Sequence, residues 1–265
     1  MIASGGAIPI GYDDVGAGLP VVLLHPFPLD RSYWSPQLAA FAARCRCVAP
    51  DARGFGETPA APPYSMDQYA DDVVGLLDLL DIERAVMVGL SMGGYIALAL
   101  WRRHGDRVRA LVLADTRAGA DSEEGRERRR ALIRTAREQG AAAVAEAQLP
   151  GLIGKSTRER RPDVADALRQ IMERASVDGI TGALEAMMMR DDSTDLLATI
   201  TIPTLLVTGE EDVLTPPKEA RAMHSAIPGS RLELLACAGH ASSFERPGAF
   251  NHVLAEFIDP IAGAT

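Results

Sequence analysis

The chain is predicted to be an α/β protein with a mostly parallel, doubly wound sheet. Three observations lead there. Apolar runs rich in β-branched residues recur at 21–24, 47–49, 86–88, 111–113, 205–207 and 232–235. Segments with apolar residues at helical spacing separate them, and strands that alternate with helices pair in parallel and carry helices on both faces. The length, 265 residues, lets roughly three quarters of the unfolded surface be buried, which suits one core with an insertion better than two equal domains.

Taken in order, residues 8–15, interrupted by Gly11, Asp13 and Asp14, are expected to add an antiparallel edge hairpin. The 21–24 and 47–49 runs follow as strands. A well-marked helix comes next: Ser65 is its N-cap, Gln68 at the third helical position completes a capping box, and Tyr69, Val73, Leu76, Leu77 and Leu80 recur on one face. That face is expected to cover the sheet. Asp81-Ile82-Glu83-Arg84 closes the helix and leads into the 86–88 strand, after which a helical pattern opens at Met92 and runs to about residue 103. Beyond Leu113 the alternation stops. Residues 118–192 hold only helical segments: an Arg-rich stretch, then 141–149, 162–175 and 178–189. In the third, Val164, Leu168, Ile171, Met172 and Ala175 form one apolar stripe, with Pro162 at the first helical position. The expected organisation is a core of residues 1–117 and 193–265 with a helical cap, 118–192, inserted between two of its strands. Caps of this kind wall off a pocket and exclude water from it.

Composition narrows the partners. A net charge of −9 argues against a phosphate-backbone ligand, so nucleic acid is not expected. Arg126, Arg128, Arg129, Arg130, Arg134 and Arg137 crowd one segment, but Glu123, Glu124, Glu127 and Glu138 are interleaved with them and read as a solvated helix face of paired charges. Cys45 and Cys47 alternate on a strand and Cys237 lies far off, so neither disulfides nor a metal site are expected. The start, Met1 to Gly6, lacks a basic and apolar leader, and no apolar stretch reaches the roughly 18 residues of a membrane span. A cytoplasmic protein is the expectation.

The chemistry centres on Gly89-Leu90-Ser91-Met92-Gly93-Gly94. A strand, a sharp turn and a helix in that order make a nucleophile elbow that presents a serine hydroxyl at the end of a sheet. The glycines two positions to either side let the backbone pass where a Cβ would clash. A serine hydroxyl is a weak nucleophile at neutral pH and needs a histidine base oriented by an acid. Asp212, in the acidic loop after the 205–207 strand, and His240, in the glycine-preceded loop after the last strand, supply them in the chain order Ser, Asp, His. Glu210, Glu211 and Asp115 are the rival acids; His104, His224 and His252 fall in or at the end of helical patterns, where surface roles are expected. Oxyanion donors are the Met92 N–H, at the start of the helix, and the Phe27 N–H, flanked by Pro26 and Pro28 that have none to give. Candidate substrate-binding residues are His25, Trp34, Met187, Met188 and Leu214. Met187 and Met188 open the way to an adaptable apolar lining, and His25 is expected to brace the Phe27 loop through hydrogen bonds. Gly154-Lys155-Ser156 lacks the upstream glycine of a phosphate-binding loop, and the elbow does not fit G-x-G-x-x-G, so no nucleotide cofactor is indicated.

With these residues in hand, the chain resembles the α/β-hydrolase superfamily over nearly its whole length, and looks most like small bacterial carboxylesterases and 3-oxoadipate enol-lactonase-like hydrolases. The stretches that carry the resemblance are Leu24-His25-Pro26-Phe27-Pro28-Leu29-Asp30, Pro50-Asp51-Ala52-Arg53-Gly54-Phe55-Gly56, the elbow, Gly209-Glu210-Glu211-Asp212, and Gly239-His240 followed by Glu245-Arg246-Pro247. One position departs: Pro26 stands where the family usually has glycine after the histidine. The resemblance implies an α/β-hydrolase fold with an inserted cap and a cofactor-independent serine esterase that takes small-molecule esters or lactones. It leaves an enol-lactone or carbon–carbon substrate as the alternative, and a small-molecule receptor of the same fold as a third. Acyl and alcohol specificity and oligomeric state are left open.

Overall fold

Strand-forming runs appear where the apolar patches predict them, each a residue or more longer at one or both ends. The computed structural model describes residues 1–3 and 8–263; the N-terminal reading therefore falls partly, at Ser4, Gly5 and Gly6, outside the described residues. The strands are β1 (Ile2–Ala3), β2 (Ile10–Val15), β3 (Pro20–Leu24), β4 (Arg46–Pro50), β5 (Ala85–Leu90), β6 (Val108–Ala114), β7 (Thr204–Gly209) and β8 (Arg231–Leu235). They form one sheet in the order β1-β2-β4-β3-β5-β6-β7-β8. From β4 to β8 all neighbours are parallel, whereas β2 runs antiparallel to both β1 and β4. The antiparallel edge is thus present, but as one strand over 10–15 paired with residues 2–3, not as a hairpin contained within 8–15.

The helices are α1 (Ser35–Phe41), α2 (Met66–Leu79), α3 (Met92–His104), α4 (Glu123–Leu152), α5 (Lys155–Arg160), α6 (Pro162–Met172), α7 (Val177–Met189), α8 (Pro217–Ala226), α9 (Ser242–Glu245) and α10 (Pro247–Ala262). Side chains alternate across a strand, so each central strand feeds two cores. Val22 and Leu24 of β3, Met87 of β5 and Leu111 and Leu113 of β6 pack with α2 and α3 on one face. Val21 and Leu23, Val86 and Val88, and Ala110 and Val112 pack with Phe41 of α1 and Phe250, Leu254 and Ile258 of α10 on the other. Each fully buried Leu, Ile or Phe contributes about 2 kcal/mol of transfer free energy, and both layers are needed because a parallel sheet is apolar on both sides. The capping box of α2 forms as expected, the Ser65 hydroxyl accepting the Gln68 N–H at 3.0 Å.

Between β6 and β7 the chain is helical. The backbone of α4 leaves the helical region at Gly140 (φ 82°, ψ −175°), dividing it where the sequence predicts two helices. The apolar stripe of α6, Val164, Leu168, Ile171 and Met172, joins the α1/α10-side core, while Ile180, Ala183 and Met187 of α7 join the other. The Gly154-Lys155-Ser156 segment, which lacks the glycine of a phosphate-binding loop, opens the short helix α5.

Strand order reverses at β3, which has β4 on one side and β5 on the other. Loops leaving the carboxyl ends of β3 and β5 therefore diverge and open a crevice between them. Into it rises the turn between β5 and α3. Ser91 sits there at φ 55° and ψ −112°, a strained conformation for a residue with a side chain. Its neighbours leave no room: a Cβ at Gly89 would lie 2.2 Å from the Gly93 carbonyl oxygen, and one at Gly93 would lie 2.1 Å from the Leu24 carbonyl oxygen. Gly93→Ala is expected to lose at least about 3 kcal/mol of unfolding free energy, because backbone rather than a mobile side chain must give way. Gly75, inside α2 with nothing within 4 Å of the place an alanine methyl would occupy, is the contrast. Gly75→Ala should gain about 0.5–1 kcal/mol from helix propensity. Urea melts of the two variants check both signs.

Candidate active site

Three loops at the carboxyl ends of β5, β7 and β8 bring together the residues at 91, 212 and 240. Ser91 Oγ lies 2.7 Å from His240 Nε2, and His240 Nδ1 lies 2.8 Å from Asp212 Oδ2. His240 and Asp212 are 2 % and 3 % exposed, so neither is screened by bulk water. Asp212 shapes its own loop: its Oδ1 accepts the N–H groups of Leu214 (2.8 Å) and Thr215 (3.0 Å), and its Oδ2 accepts the Thr215 hydroxyl (2.7 Å). Burial alone would raise the carboxyl pKa, but the imidazole and the Thr215 donors outweigh it and hold Asp212 below its ordinary value. A carboxylate that accepts Nδ1–H leaves the Nε2 lone pair facing the serine hydroxyl.

The elbow is pinned from several sides. Ser91 N–H donates to the Ala114 carbonyl (2.9 Å), and the Ser91 carbonyl accepts from Gly94 N–H (2.9 Å), Tyr95 N–H (3.2 Å) and the Thr116 hydroxyl (2.9 Å). The Met92 N–H, first of α3, has no intrahelical acceptor by helix geometry, and among the described residues no protein group accepts the Phe27 N–H. Phe27 and Ser91 both line one open cavity of about 200 Å³, together with Tyr95, Leu184, Met187, Leu214 and His240.

Of the expected pocket residues, Met187 and Leu214 are therefore at the cavity, and three are not. Trp34 is fully buried, its ring against Tyr33 (5.1 Å) and Phe250 (6.2 Å), because the short helical turn before α1 folds onto α10 on the far side of the sheet. Met188, next to Met187 on α7, is half-buried against the same α2/α3-side core and does not line the cavity. His25 is 2 % exposed, donates from Nδ1 to the Pro26 carbonyl (3.0 Å) and accepts the Ala52 N–H at Nε2 (2.9 Å). It braces the Phe27 loop, and its edge meets Phe55, which in turn meets Phe27. Burial lowers its pKa against the pull of Asp51, in keeping with a neutral ring held in one tautomer.

Two of the rival acids, Asp115 and Glu211, do other work, and Glu210 is exposed. Asp115 accepts the Gly209 N–H (2.9 Å) and the Ser242 hydroxyl, tying the ends of β6 and β7 to α9. Burial, reinforced by the Asp212 charge, pushes its pKa well above the carboxylate range. Glu211 accepts Ser156 N–H (2.7 Å) and the Ser156 hydroxyl (2.5 Å). His104 contacts Asp71, His224 contacts Ser230 and His252 contacts Glu256, all away from the cavity.

Sequence reasoning missed three groups. Thr215 could have been found, since an Asp followed three residues on by Thr is an Asx-turn pattern. Glu245 was visible only as part of a resemblance; its carboxylate, 2 % exposed, accepts Gly154 N–H and Gly239 N–H, both at 2.8 Å, and so joins the helical insertion to the histidine loop. Arg117 and Arg129 line the cavity, and Arg129 thereby departs from the solvated face expected for the Arg-rich stretch. No local signal marks which arginine of that helix turns inward.

The family model for the alpha/beta hydrolase fold matches residues 20–247. The chain belongs to that family. It is 31% identical over 225 residues to 3-oxoadipate enol-lactonase 2 of Acinetobacter baylyi, covering 84% of this chain and 82% of that one. Among solved structures, a thermophilic esterase from Thermogutta terrifontis, determined with malate bound, superimposes with a TM-score of 0.94 at 38% identity over 98% of this chain and 96% of that one. The enol-lactonase from Burkholderia xenovorans LB400 follows with a TM-score of 0.90 at 32% identity, covering 97% of this chain and 99% of that one. Among the described residues of this α/β-hydrolase chain, no helix is long and apolar enough to cross a membrane.

Asp115 gives a prediction with a defined sign. A buried acid whose folded pKa lies above its unfolded value of about 3.8 costs stability as pH rises past that value. Asparagine keeps the acceptor for Gly209 N–H and carries no charge. Asp115→Asn should therefore match or exceed the parent in stability at pH 8, with the advantage shrinking toward pH 4. Asp115→Ala, which strands the Gly209 N–H, should lose about 1–3 kcal/mol. Denaturant melts across that pH range test the pair.

Proposed function

We propose that the chain is a cofactor-independent serine hydrolase that cleaves carboxylic esters through an acyl-enzyme formed on Ser91. The observation that carries this reading is the continuous hydrogen-bonded line from Ser91 Oγ through His240 to Asp212, at 2.7 and 2.8 Å. As Ser91 Oγ attacks the ester carbonyl, His240 Nε2 takes its proton, and the imidazolium forms beside an ionised Asp212 that accepts from Nδ1. The carbonyl oxygen, now anionic, receives the N–H groups of Phe27 and Met92, each worth about 3 kcal/mol to the transition state. Collapse of the tetrahedral intermediate expels the alcohol, which leaves with the proton from His240. Water, deprotonated by the same nitrogen, then releases the acid and restores Ser91.

Residues 118–192 act in this reading as a cap over the core of 1–117 and 193–265, excluding water from the reacting carbonyl. Met187 from the cap and Leu214 from the Asp212 loop, both at the cavity wall, are the apolar side chains that meet the substrate. Small to medium acyl or aryl esters suit a cavity of about 200 Å³. A lactone is a second reading, favoured by the relatives named enol-lactonases: the same steps apply, with the leaving alcohol tethered to the acyl chain.

A fluorophosphonate probe followed by peptide mapping tests the nucleophile, with label expected on the peptide containing Ser91 and absent from Ser91→Ala. Turnover of a p-nitrophenyl ester should fall by up to about 10⁶-fold in Ser91→Ala and by about 10⁴-fold in Asp212→Asn, with unchanged melting behaviour in the former. Parent-like rates from Ser91→Ala would refute the reading. An ester and lactone panel on the parent protein then separates the two substrate classes.

A further inference from the structure

The cavity beside Ser91 is charged in a way that ester cleavage alone does not require. Among the described side chains that line it, Arg117, Arg128 and Arg129 are cationic and Asp121 is the one carboxylate. Asp121 is shared by three guanidinium groups: Arg117 at 2.5 Å, Arg129 at 2.5 Å and Arg190 at 2.9 Å. Its side chain is 1 % exposed and that of Arg190 4 %, so this is a buried cluster with more positive than negative charge. Burial would raise the Asp121 carboxyl, yet the arginines bring it down to about 2, and it stays an anion at any working pH.

The arginines are not equivalent. Arg190 donates to the Met187 and Gly119 carbonyls, both at 2.7 Å, and its guanidinium lies 4.1 Å over the Tyr95 ring; its role is to hold Asp121 from behind. Arg128 sits at the rim, paired with Glu124 and largely exposed. Arg130 and Arg134 pair with Glu123 and Glu127 on the same outer face of α4. Arg117 and Arg129 remain, and both have donor capacity that the protein does not use well. Arg129 Nη1 is 3.3 Å from the Met187 sulfur, a weak acceptor, and Arg117 Nε is buried with no hydrogen-bond partner among the described residues.

We propose that Arg117 and Arg129 form a carboxylate subsite inside the catalytic cavity, so that the preferred substrates carry a free carboxylate apart from the bond that is cleaved. The inference rests on the ester-hydrolase reading above and names its substrate class. Guanidinium forks suit planar carboxylates, with two parallel hydrogen bonds per pair. Partial burial protects the attraction from salt. The chain as a whole is at −9, a field that repels anions, so a cationic cavity confers selectivity that the rest of the surface works against. Asp121 fixes the two arginines in place while leaving the cluster an excess of positive charge for the ligand to neutralise.

Monomethyl esters of four- to six-carbon diacids, compared in a pH-stat with methyl esters of the matching monoacids, test this directly on the parent protein. The acidic ester is expected to have the higher kcat/KM by about tenfold or more, the scale of one charge-assisted hydrogen bond. Free glutarate should compete against the neutral ester, and moderate salt should leave that competition largely intact. Arg129→Gln should reduce the acidic-to-neutral ratio at least about tenfold and Arg129→Lys should restore part of it. A parent protein that cleaves neutral esters as well as acidic ones, with no competition from glutarate, overturns the subsite and leaves the esterase reading intact. Failure to cleave any ester of either series, with no fluorophosphonate label at Ser91, overturns both. The parent comparison and the glutarate competition hold whether or not the Arg129 variants fold.

Discussion

Ser91 occupies a backbone conformation, φ 55° and ψ −112°, that an isolated serine would avoid, and the geometry of the site follows from it. That conformation turns the side chain off the end of β5 and into the crevice, where no regular strand or helix would aim it. Its cost, of the order of 1–3 kcal/mol, is met by surroundings that allow nothing else. Three donors converge on the Ser91 carbonyl, its N–H is held by β6, and Gly89 and Gly93 let adjacent backbone approach within distances that any side chain would forbid. The same turn starts α3, so the strained residue and a free helix N-terminus arrive together. The outward-turned hydroxyl and the helix N-terminus beside it are thus products of one local constraint.

The partners of Ser91 come from far along the chain, and their placement depends on a second layer of polar contacts. Glu245 bridges Gly154 of the helical insertion and Gly239 next to His240. Glu211 binds Ser156 beside Asp212. Ala241 N–H donates to the Leu152 carbonyl at 2.8 Å. The segment from Leu152 to Ser156 is therefore clamped to both the acid loop and the histidine loop, and the position of the insertion is coupled to that of the imidazole. Glu245, Glu211 and Asp115 each accept at least one backbone N–H, so these three acidic residues near the site are held in other bonds and are not interchangeable with Asp212.

Much of this was legible before any coordinates, for a physical reason. Strand, turn and helix at 85–104 and the capping box at Ser65 are local patterns that local backbone chemistry determines, and Asp212 and His240 stand out because each sits in a loop after a strand-forming run. The helical stripe of α6 was likewise visible because burial imposes a period. What could not be read depends on contacts between distant segments. Trp34 looks available beside the Phe27 loop, yet its ring is sealed by Phe250, more than 200 positions on. Arg128 and Arg129 are neighbours of one type at the same cavity, and only their relation to Asp121 and Met187 leaves one at the exposed rim and turns the other inward. Pro26, the departure from the usual glycine, sits in a loop that His25 braces through its two ring nitrogens.

The proposed chemistry requires Ser91 to act as the covalent nucleophile under the control of His240 and Asp212. Its most direct test is to mix the protein with excess p-nitrophenyl acetate, quench in acid within the first turnover, and map the acetyl group by peptide mass spectrometry. A burst of p-nitrophenol stoichiometric with enzyme is expected, with the acetyl group on Ser91. Turnover without any acylated intermediate, or an acetyl group that maps to a different side chain while Ser91 stays free, would contradict it.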